Sequence, residues 1–444
     1  MSSNVFHRSF AAPPLTAVAA RGSFIFDNEG KRYLDASGGA AVSCLGHCHP
    51  KVVEVVREQL GRLDYAHTGF FTNTAQEELA DDIIAHAPPN MARVFVVSGG
   101  SEAIEAAIKM ARQYWLEKGE PQRTRFIARR QSYHGNTLGA LAAGGNMARR
   151  VPYAPLLSGA FSHIAPYYPY RDRKDGESEE AYGQRVADEL ETEILRLGPA
   201  NVAGFLAEPV VGATLGSQPA VPGYFARIRD ICDRHGVLLI ADEVMSGMGR
   251  CGTLYAMEHE GVEADIIVMA KGLGGGFQPI GCVIASNKVV QAFMDGSGAF
   301  THGHTYMGHP VACAAGVAVQ QVLREEGLIG RVRDQGPRLE AMLHDRFGNH
   351  ANVGDIRGRG FFWSLEFVAD RTTKATFDPA MKMNGRLAQE ALARGLVCYP
   401  MGDTIDGVHG DHVSLAPPYN ASDEELDLAV SLLGEAVDAA VARV

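Results

Sequence analysis

Two short apolar runs, Val237-Leu-Leu-Ile-Ala241 and Ile266-Ile-Val-Met-Ala270, each end in a charged residue: Asp242 after the first, Lys271 after the second. Each run is too short for a helix and is bounded by glycine or polar residues, the pattern of a strand buried in a parallel sheet. Ligands of such sheets sit beyond the carboxyl ends of the strands, so an acid and an amine at two such ends can face one ligand. A buried lysine is costly unless paired or neutralised, and joining its amine to a carbonyl as a Schiff base is one chemical solution. The carboxylate can then hold a protonated ring nitrogen, as pyridoxal 5'-phosphate (PLP) requires. Taken singly, Asp242 reads as a turn cap and Lys271 as a solvated loop residue; the pair carries the chemistry.

The elements that would position such a pair recur along the chain. Arg93-Val-Phe-Val-Val-Ser98 reads as a strand, and Ser101 opens a helix with Ile104, Ala107, Ile108, Ala111 and Trp115 at helical spacing. Glycines just before a helix N-terminus let backbone N–H groups converge on an anion, and the helix dipole favours negative charge. Gly100 and Ser101 are therefore candidate phosphate ligands, or else a simple turn with Ser101 as its cap. Further strands are expected at Arg125–Arg129, before Ser132-Tyr133-His134-Gly135, at Val202–Ala207, before Glu208-Pro209, and at Gly281–Ala285. Residues 24–35 read as a hairpin around Asn28-Glu29-Gly30, Lys51–Leu60 as a short amphipathic helix, and Pro310 to about Glu326 as a longer one. Ile356–Phe367 contains a strand, a last amphipathic helix starts near Asp423, and the charge-rich residues 171–193 read as a solvated loop and helix face.

Taken together, Ser98-Gly-Gly-Ser-Glu-Ala103, Ser132-Tyr-His-Gly135, Glu208-Pro-Val210, Asp242-Glu-Val244, Gly249-Arg250, Lys271-Gly272 and His304-Thr-Tyr-Met-Gly-His309 resemble the class III aminotransferases in order and spacing. The ω-amino acid:pyruvate transaminases belong to that family, and the similarity runs from about Phe24 to the final helix. The resemblance implies an α/β protein of PLP-dependent transferase fold type I. A large domain with a mostly parallel central sheet (65–310) is expected beside a smaller α+β domain built from an N-terminal segment (1–64) and a C-terminal part (311–444). It implies Lys271 as the catalytic residue that binds PLP, with Gly100, Ser101, Tyr133, His134, Glu208, Asp242, Val244 and Thr305 around the cofactor. Tyr133 would lie flat against the ring, Val244 under it, and Thr305 would reach across a dimer interface to the partner's phosphate. Strand alternation sends the side chain of Glu243 the opposite way from Asp242. Gly38 and Gly39, where some relatives carry a bulky aromatic, and Phe70 and Phe71 are the candidate substrate contacts; packing is the competing reading for the two phenylalanines.

The implied reaction moves an amino group from a primary amine or ω-amino acid to a keto acid, pyruvate foremost, in two half-reactions. The implied assembly is a homodimer or larger, with active sites at the interface. Several departures bear on the substrate. Ser414 stands where many relatives that handle α-amino acids have an arginine for the α-carboxylate, the segment after Pro417-Pro418 has no arginine, and Met245 replaces a glutamine. These favour an amine or ω-amino acid donor and leave the carboxylate-binding group unassigned. A PLP-dependent aminomutase or decarboxylase of the same fold, and a non-catalytic PLP-binding protein, share the cofactor residues and are the alternatives.

Composition bounds the rest. The chain has 444 residues, 46% hydrophobic and 21% charged, with a net charge of −11; that balance argues against a nucleic-acid surface, which needs a basic field. Seven scattered cysteines suit reduced thiols in a cytoplasm better than a disulfide framework. Cys44-Leu-Gly-His-Cys-His49 offers a single knuckle where structural zinc sites normally use two, so no metal is expected. No apolar run approaches the ~20 residues of a membrane span. The Ala11-Ala-Pro-Pro14 stretch near the N-terminus is read as mature protein, not as a signal peptide. The glycines after Lys271 lack the Gly-Lys-Ser/Thr ending of a nucleotide loop and precede Gln278-Pro279 instead of a helix.

Overall fold

The computed structural model describes residues 3–10 and 14–442; Ala11, Ala12 and Pro13 of the stretch weighed as a processing signal lie outside the described residues. The centre is a seven-stranded sheet. Its order from one edge is Met91–Val97, Gly281–Ser286, Ile266–Met269, Leu238–Asp242, Val202–Ala207, Arg125–Arg129 and Phe161–Ile164. Gly281–Ser286 runs antiparallel to both neighbours, and every other pairing is parallel. The sheet is thus mostly parallel with one reversed strand. Long crossover segments carry helices onto both faces, so its central strands are apolar throughout instead of alternating.

Alternation still sorts the side chains by face. Leu238, Ile240 and Val268 pack with Ile104, Ala107 and Ala111 of the Gly100–Glu117 helix. Leu239, Ala241, Ile267 and Met269 join a second core with the helices Glu179–Leu197 and Tyr224–His235 on the opposite side. Asp242 continues the first face. Glu243 takes the second, where its carboxylate accepts hydrogen bonds from the N–H groups of Ala256 (2.7 Å) and Met257 (2.8 Å).

Two smaller sheets flank this centre. The hairpin Phe24–Asp27 and Arg32–Asp35 forms around the expected turn, Ala17–Arg21 adds to its edge, and Leu396–Val397 from near the other end of the chain pairs parallel with Arg32–Asp35. The C-terminal region builds Val353–Arg359, Phe362–Phe367, Asp411–Leu415 and Tyr399–Met401 into a four-stranded antiparallel sheet. Residues 356–367, expected to hold a strand, therefore hold most of a hairpin, turning at Gly360. The helices Pro310–Glu325, Leu328–Phe347 and Asp423–Val441 close a third core, beside these smaller sheets.

One residue of the 171–193 stretch expected to be solvated reaches into the core instead. Arg171 pairs with the fully buried Glu366 at 2.7 Å. Glu366 also binds Arg357 at 2.7 Å, and Arg357 donates to the Leu215 and Gly216 carbonyls. A buried carboxylate of this kind is tolerable because two guanidiniums and the Tyr168 hydroxyl share its charge. The rest of 171–193 is an exposed lead-in followed by the Glu179–Leu197 helix, whose charged residues face outward while Tyr182, Val186 and Leu190 are buried.

Candidate functional site

Strand register decides which side chains meet. Ala207 is level with Ala241, and Asp242 is level with Val268. Glu208 therefore emerges beside Asp242, and Lys271 follows two residues after the end of the third strand. Together they line a cavity of about 400 Å³ with Ser98, Gly99, Gly100, Ser101, Tyr133, His134, Gly135, Val244 and Met245. This is the crevice beyond the strand carboxyl ends where open α/β sheets bind ligands.

Each side chain is fixed by something specific. Asp242 accepts a hydrogen bond from the Val244 N–H at 3.0 Å and one from His134 Nδ1 at 2.7 Å, both acid and imidazole being buried. That contact leaves His134 Nε2 buried without a partner, a polar atom that the protein itself does not satisfy. Glu208 accepts from the Tyr133 N–H (3.1 Å) and the Gly212 N–H (2.9 Å), while Arg129, whose guanidinium lies over the Tyr167 ring, donates to the Glu208 carbonyl at 2.6 Å. Burial pushes the Glu208 carboxyl above its ordinary value, and the neighbouring Asp242 adds to the shift.

Lys271 opens a one-turn 3-10 helix with φ at +44°, in the left-handed region. Strain of that kind persists where the surroundings over-determine the backbone. Burial at the cavity floor brings its amine down to about 8, against the pull of Asp242 and Glu208 and with help from Arg250. An amine so placed keeps a larger neutral, nucleophilic fraction near physiological pH than an ordinary lysine does.

At the other end of the cavity the Gly100–Glu117 helix presents its first turn, and Gly99, at its start, has no side chain to cap it. The orphan N–H groups of a helix start seek an acceptor, and the dipole there favours an anion. Backbone packs closely around this turn. Gly135 has φ +132°, and a Cβ on it would lie 2.6 Å from Ser101 Oγ; a Cβ on Gly100 would lie 3.2 Å from Val244 Cγ1. Ser101 Oγ is oriented by accepting from the Asn136 N–H at 3.1 Å.

The residues expected around PLP thus divide into two groups. Gly100, Ser101, Tyr133, His134, Glu208, Asp242, Val244 and Lys271 converge on one cavity. Thr305, Gly38, Gly39, Phe70 and Phe71 do not reach it within a single chain. Thr305 is exposed, and so are Phe70 and Phe71 (83% and 67%). Gly38 and Gly39, at φ +56° and +74°, turn the backbone so that Val42 forms the cavity wall. Ser414 lies buried in a hydroxyl chain, 2.7 Å from Ser364, which is 2.8 Å from Ser217. Gln278, Pro279 and Ile280 also line the cavity; the Gln-Pro after the glycine run was the only mark they left in the sequence. Of the knuckle at 44–49, His47 pairs with Asp35 and His49 with Glu326, so both imidazoles have carboxylate partners.

Comparison with known proteins agrees with this geometry. An uncharacterized aminotransferase of Schizosaccharomyces pombe is 43% identical over 99% of this chain and 95% of its own. An amine transaminase from an uncultivated Pseudomonas species, solved in a PLP-bound form, superimposes with a TM-score of 0.93 at 34% identity, covering 99% of both chains. A PMP-bound aminotransferase from Vibrio fluvialis gives a TM-score of 0.90 at 32% identity over 97% of this chain and 94% of its own. The family model described as aminotransferase class-III matches residues 6–437. The chain, an α/β protein of PLP-dependent transferase fold type I, therefore belongs to the class III aminotransferases, enzymes of amino-group transfer.

Proposed function

We propose that this chain is a PLP-dependent transaminase that takes the amino group from a primary amine or ω-amino acid and gives it to a keto acid, pyruvate foremost. The observation that carries the reading is the meeting, in one cavity, of a lysine with a lowered pKa, a buried carboxylate and an uncapped helix start. These are the three things PLP needs: an amine for its aldehyde, an anion for its ring nitrogen and donors for its phosphate. His134 Nε2, buried and unpartnered, is a further polar atom available on the same wall. Bound there, the cofactor supplies an electron sink for the carbon whose C–H bond breaks.

The chain supplies the remainder. Asp242, oriented by His134, holds a proton at the ring nitrogen. Val244 and Tyr133 confine the ring and exclude water. Once an incoming amine had displaced it, the Lys271 amine would take a proton from the substrate carbon and deliver it to the cofactor carbon that had carried the aldehyde, acting as base and then acid. A pKa near 8 suits both directions, since neither protonation state is strongly favoured at physiological pH.

Ser414 and the lack of an arginine in Tyr419–Glu425, just after Pro417-Pro418, favour donors without an α-carboxylate. The assembly we propose is a homodimer. Residues 65–73 and 301–309 pack on one another, with the Tyr65 hydroxyl donating to the Thr305 carbonyl (3.0 Å) and Asn73 to the Gly308 carbonyl (2.9 Å). Their exposed apolar tips, Phe70, Phe71 and Tyr306 (62% exposed), form a face that a second copy would cover, bringing Thr305 to its partner's phosphate site. The cytoplasm is the proposed compartment; among the described residues no helix is long and apolar enough to cross a membrane.

A screen of amines against pyruvate and 2-oxoglutarate tests the reaction. Consumption of the keto acid without release of carbon dioxide is expected for aliphatic amines or ω-amino acids with pyruvate. Release of carbon dioxide, or rearrangement without a keto acid, would assign a decarboxylase or mutase instead. Preference for ornithine or glutamate as donor would overturn the substrate class.

A further inference from the structure

A keto acid brings a carboxylate into the site, and a carboxylate taken from water needs a cation or several donors. Ser414 provides no cation, and it is tied to Ser364. Two other arginines are sealed in the core and anchored to the backbone, each keeping two buried nitrogens without a partner, and neither lines the cavity. Arg129 and Arg250 are 0% and 1% exposed and donate to backbone carbonyls, Arg129 to Glu208 and Arg250 to Pro417 (both 2.6 Å). Lys271 is reserved for the chemistry.

The loop after Tyr133 offers a different cation. From Ser132 the chain runs through the Leu138–Ala143 helix and folds back, the Gly145 N–H donating to the Ser132 carbonyl at 3.0 Å and to the Ser132 hydroxyl at 3.1 Å. This return sets the single turn Met147–Arg150 beside Tyr133. Asn146 caps that turn by accepting from the Arg149 N–H at 3.1 Å. Its last residue, Arg150, points into the protein and donates to the end carbonyls of the preceding helix, Leu141 (3.1 Å), Ala142 (2.6 Å) and Gly144. Successive helical residues point about 100° apart. With Arg150 anchored inward, Arg149 is directed elsewhere, and its guanidinium carbon lies 5.0 Å from the centre of the Tyr133 ring.

Among the described residues that guanidinium has no carboxylate partner, although most arginines in this acidic chain have one. Tyr133 is itself a wall of the cavity. Its hydroxyl feels Arg149 and Arg8, which draw its pKa down against the larger effect of burial, and Tyr399 lies close enough to act on it as well. Tyr399 packs against the same apolar cluster as Tyr133 and Met245. A partly buried arginine and a second phenol thus stand beside this wall, Arg149 reaching the cavity's lining through Tyr133 and not lining it itself.

We propose that Arg149, held against the Tyr133 ring, receives the carboxylate of the keto acid acceptor, the task for which this chain has no arginine at position 414. The assignment rests on the transaminase reading. A planar guanidinium can grip a carboxylate through two parallel hydrogen bonds, which an ammonium cannot reproduce. Its seat on an aromatic face keeps it oriented at little entropic cost.

The test uses the holoenzyme converted to its aminated form, with the second half-reaction followed by absorbance. Pyruvate is compared with an uncharged acceptor, butanal, in wild type, Arg149→Met and Arg149→Lys. In R149M the ratio of kcat/KM for pyruvate over butanal is expected to fall by about tenfold or more, since a charge-assisted pair contributes that much. The loss should appear mainly in KM, and R149K should recover part of it. Calorimetric binding of propionate, which cannot react, should weaken in R149M by a similar factor. An unchanged ratio with unchanged propionate binding would overturn the role of Arg149 while leaving the transaminase reading intact. A wild-type enzyme that converts neither acceptor would overturn that reading, and this assignment with it.

Discussion

An ammonium on Lys271 would lose most of its hydration at the cavity floor, and two carboxylates only partly make up for that; its amine consequently sits at about 8, well below the ordinary lysine value. The sign of the pH effect follows directly. Only the neutral amine attacks an aldehyde, so the rate at which the cofactor-free protein takes up PLP should rise with pH and level off above about 8. Stopped-flow absorbance from neutral to alkaline pH checks this; a rate still climbing in the range of an ordinary lysine would contradict it. Asp242 and His134 form the other half of the pair. Asp242→Asn keeps the shape but removes the anion that holds the ring proton, and turnover should fall about a hundredfold or more, with the absorbance of the bound cofactor altered. Asp242 and Lys271 were legible in the sequence because each closes an apolar run. Arg149 was not. Its meaning comes from the fold-back at Gly145 that sets it on Tyr133, and nothing in its immediate neighbours announces that contact.

At the scale of elements, the site depends on strand register and on one tight helix entry. Glu243 shows how closely the two faces of one strand are coupled. Its carboxylate satisfies two buried N–H groups behind the site, and burial pushes it up to about 7. Glu243→Ala should cost about 2 kcal/mol of stability through the two orphaned donors, measurable by denaturant unfolding of the holoenzyme. A loss below about 0.5 kcal/mol would mean that water replaces the carboxylate. At the helix entry, Gly135→Ala would drive a methyl group against Ser101 Oγ at a φ that alanine rarely adopts. PLP affinity should drop by about tenfold or more while stability changes by only a few kcal/mol, read as PLP released on dialysis. Six of the seven strands of the central sheet could be read from apolar runs closed by glycine or charge; the edge strand Phe161–Ile164, with Ser162 and His163 between its apolar ends, could not. The second strand of the 353–367 hairpin and the buried Arg171–Glu366–Arg357 cluster could not. Charged residues close in sequence look solvated whether or not a distant partner buries them, and Glu366 comes from a part of the chain far from Arg171.

For the whole molecule, the order of elements follows the family motifs, while the closing of the small sheets is a long-range event. Leu396–Val397 pairs with Arg32–Asp35, joining chain ends that no local pattern connects; this is the observation behind our proposal that residues 1–64 and 311–444 share a domain apart from 65–310. The residues that stay away from the single-chain cavity, Thr305, Phe70 and Phe71, would find their role in the homodimer we propose. Subunit complementation separates this from chance exposure. Co-expressed Lys271→Ala and Thr305→Asp chains, each inactive alone, should regain activity in mixed dimers, where one site combines an intact lysine with the partner's intact threonine. No recovery, with mixed dimers present by mass, would place Thr305 outside the partner's site. The most direct measurement remains the fate of the lysine. Borohydride reduction of the holoenzyme followed by peptide mapping should find the pyridoxyl mass on the peptide carrying Lys271, and none in Lys271→Ala. A pyridoxyl group on another lysine, or on none, would contradict the account at its base.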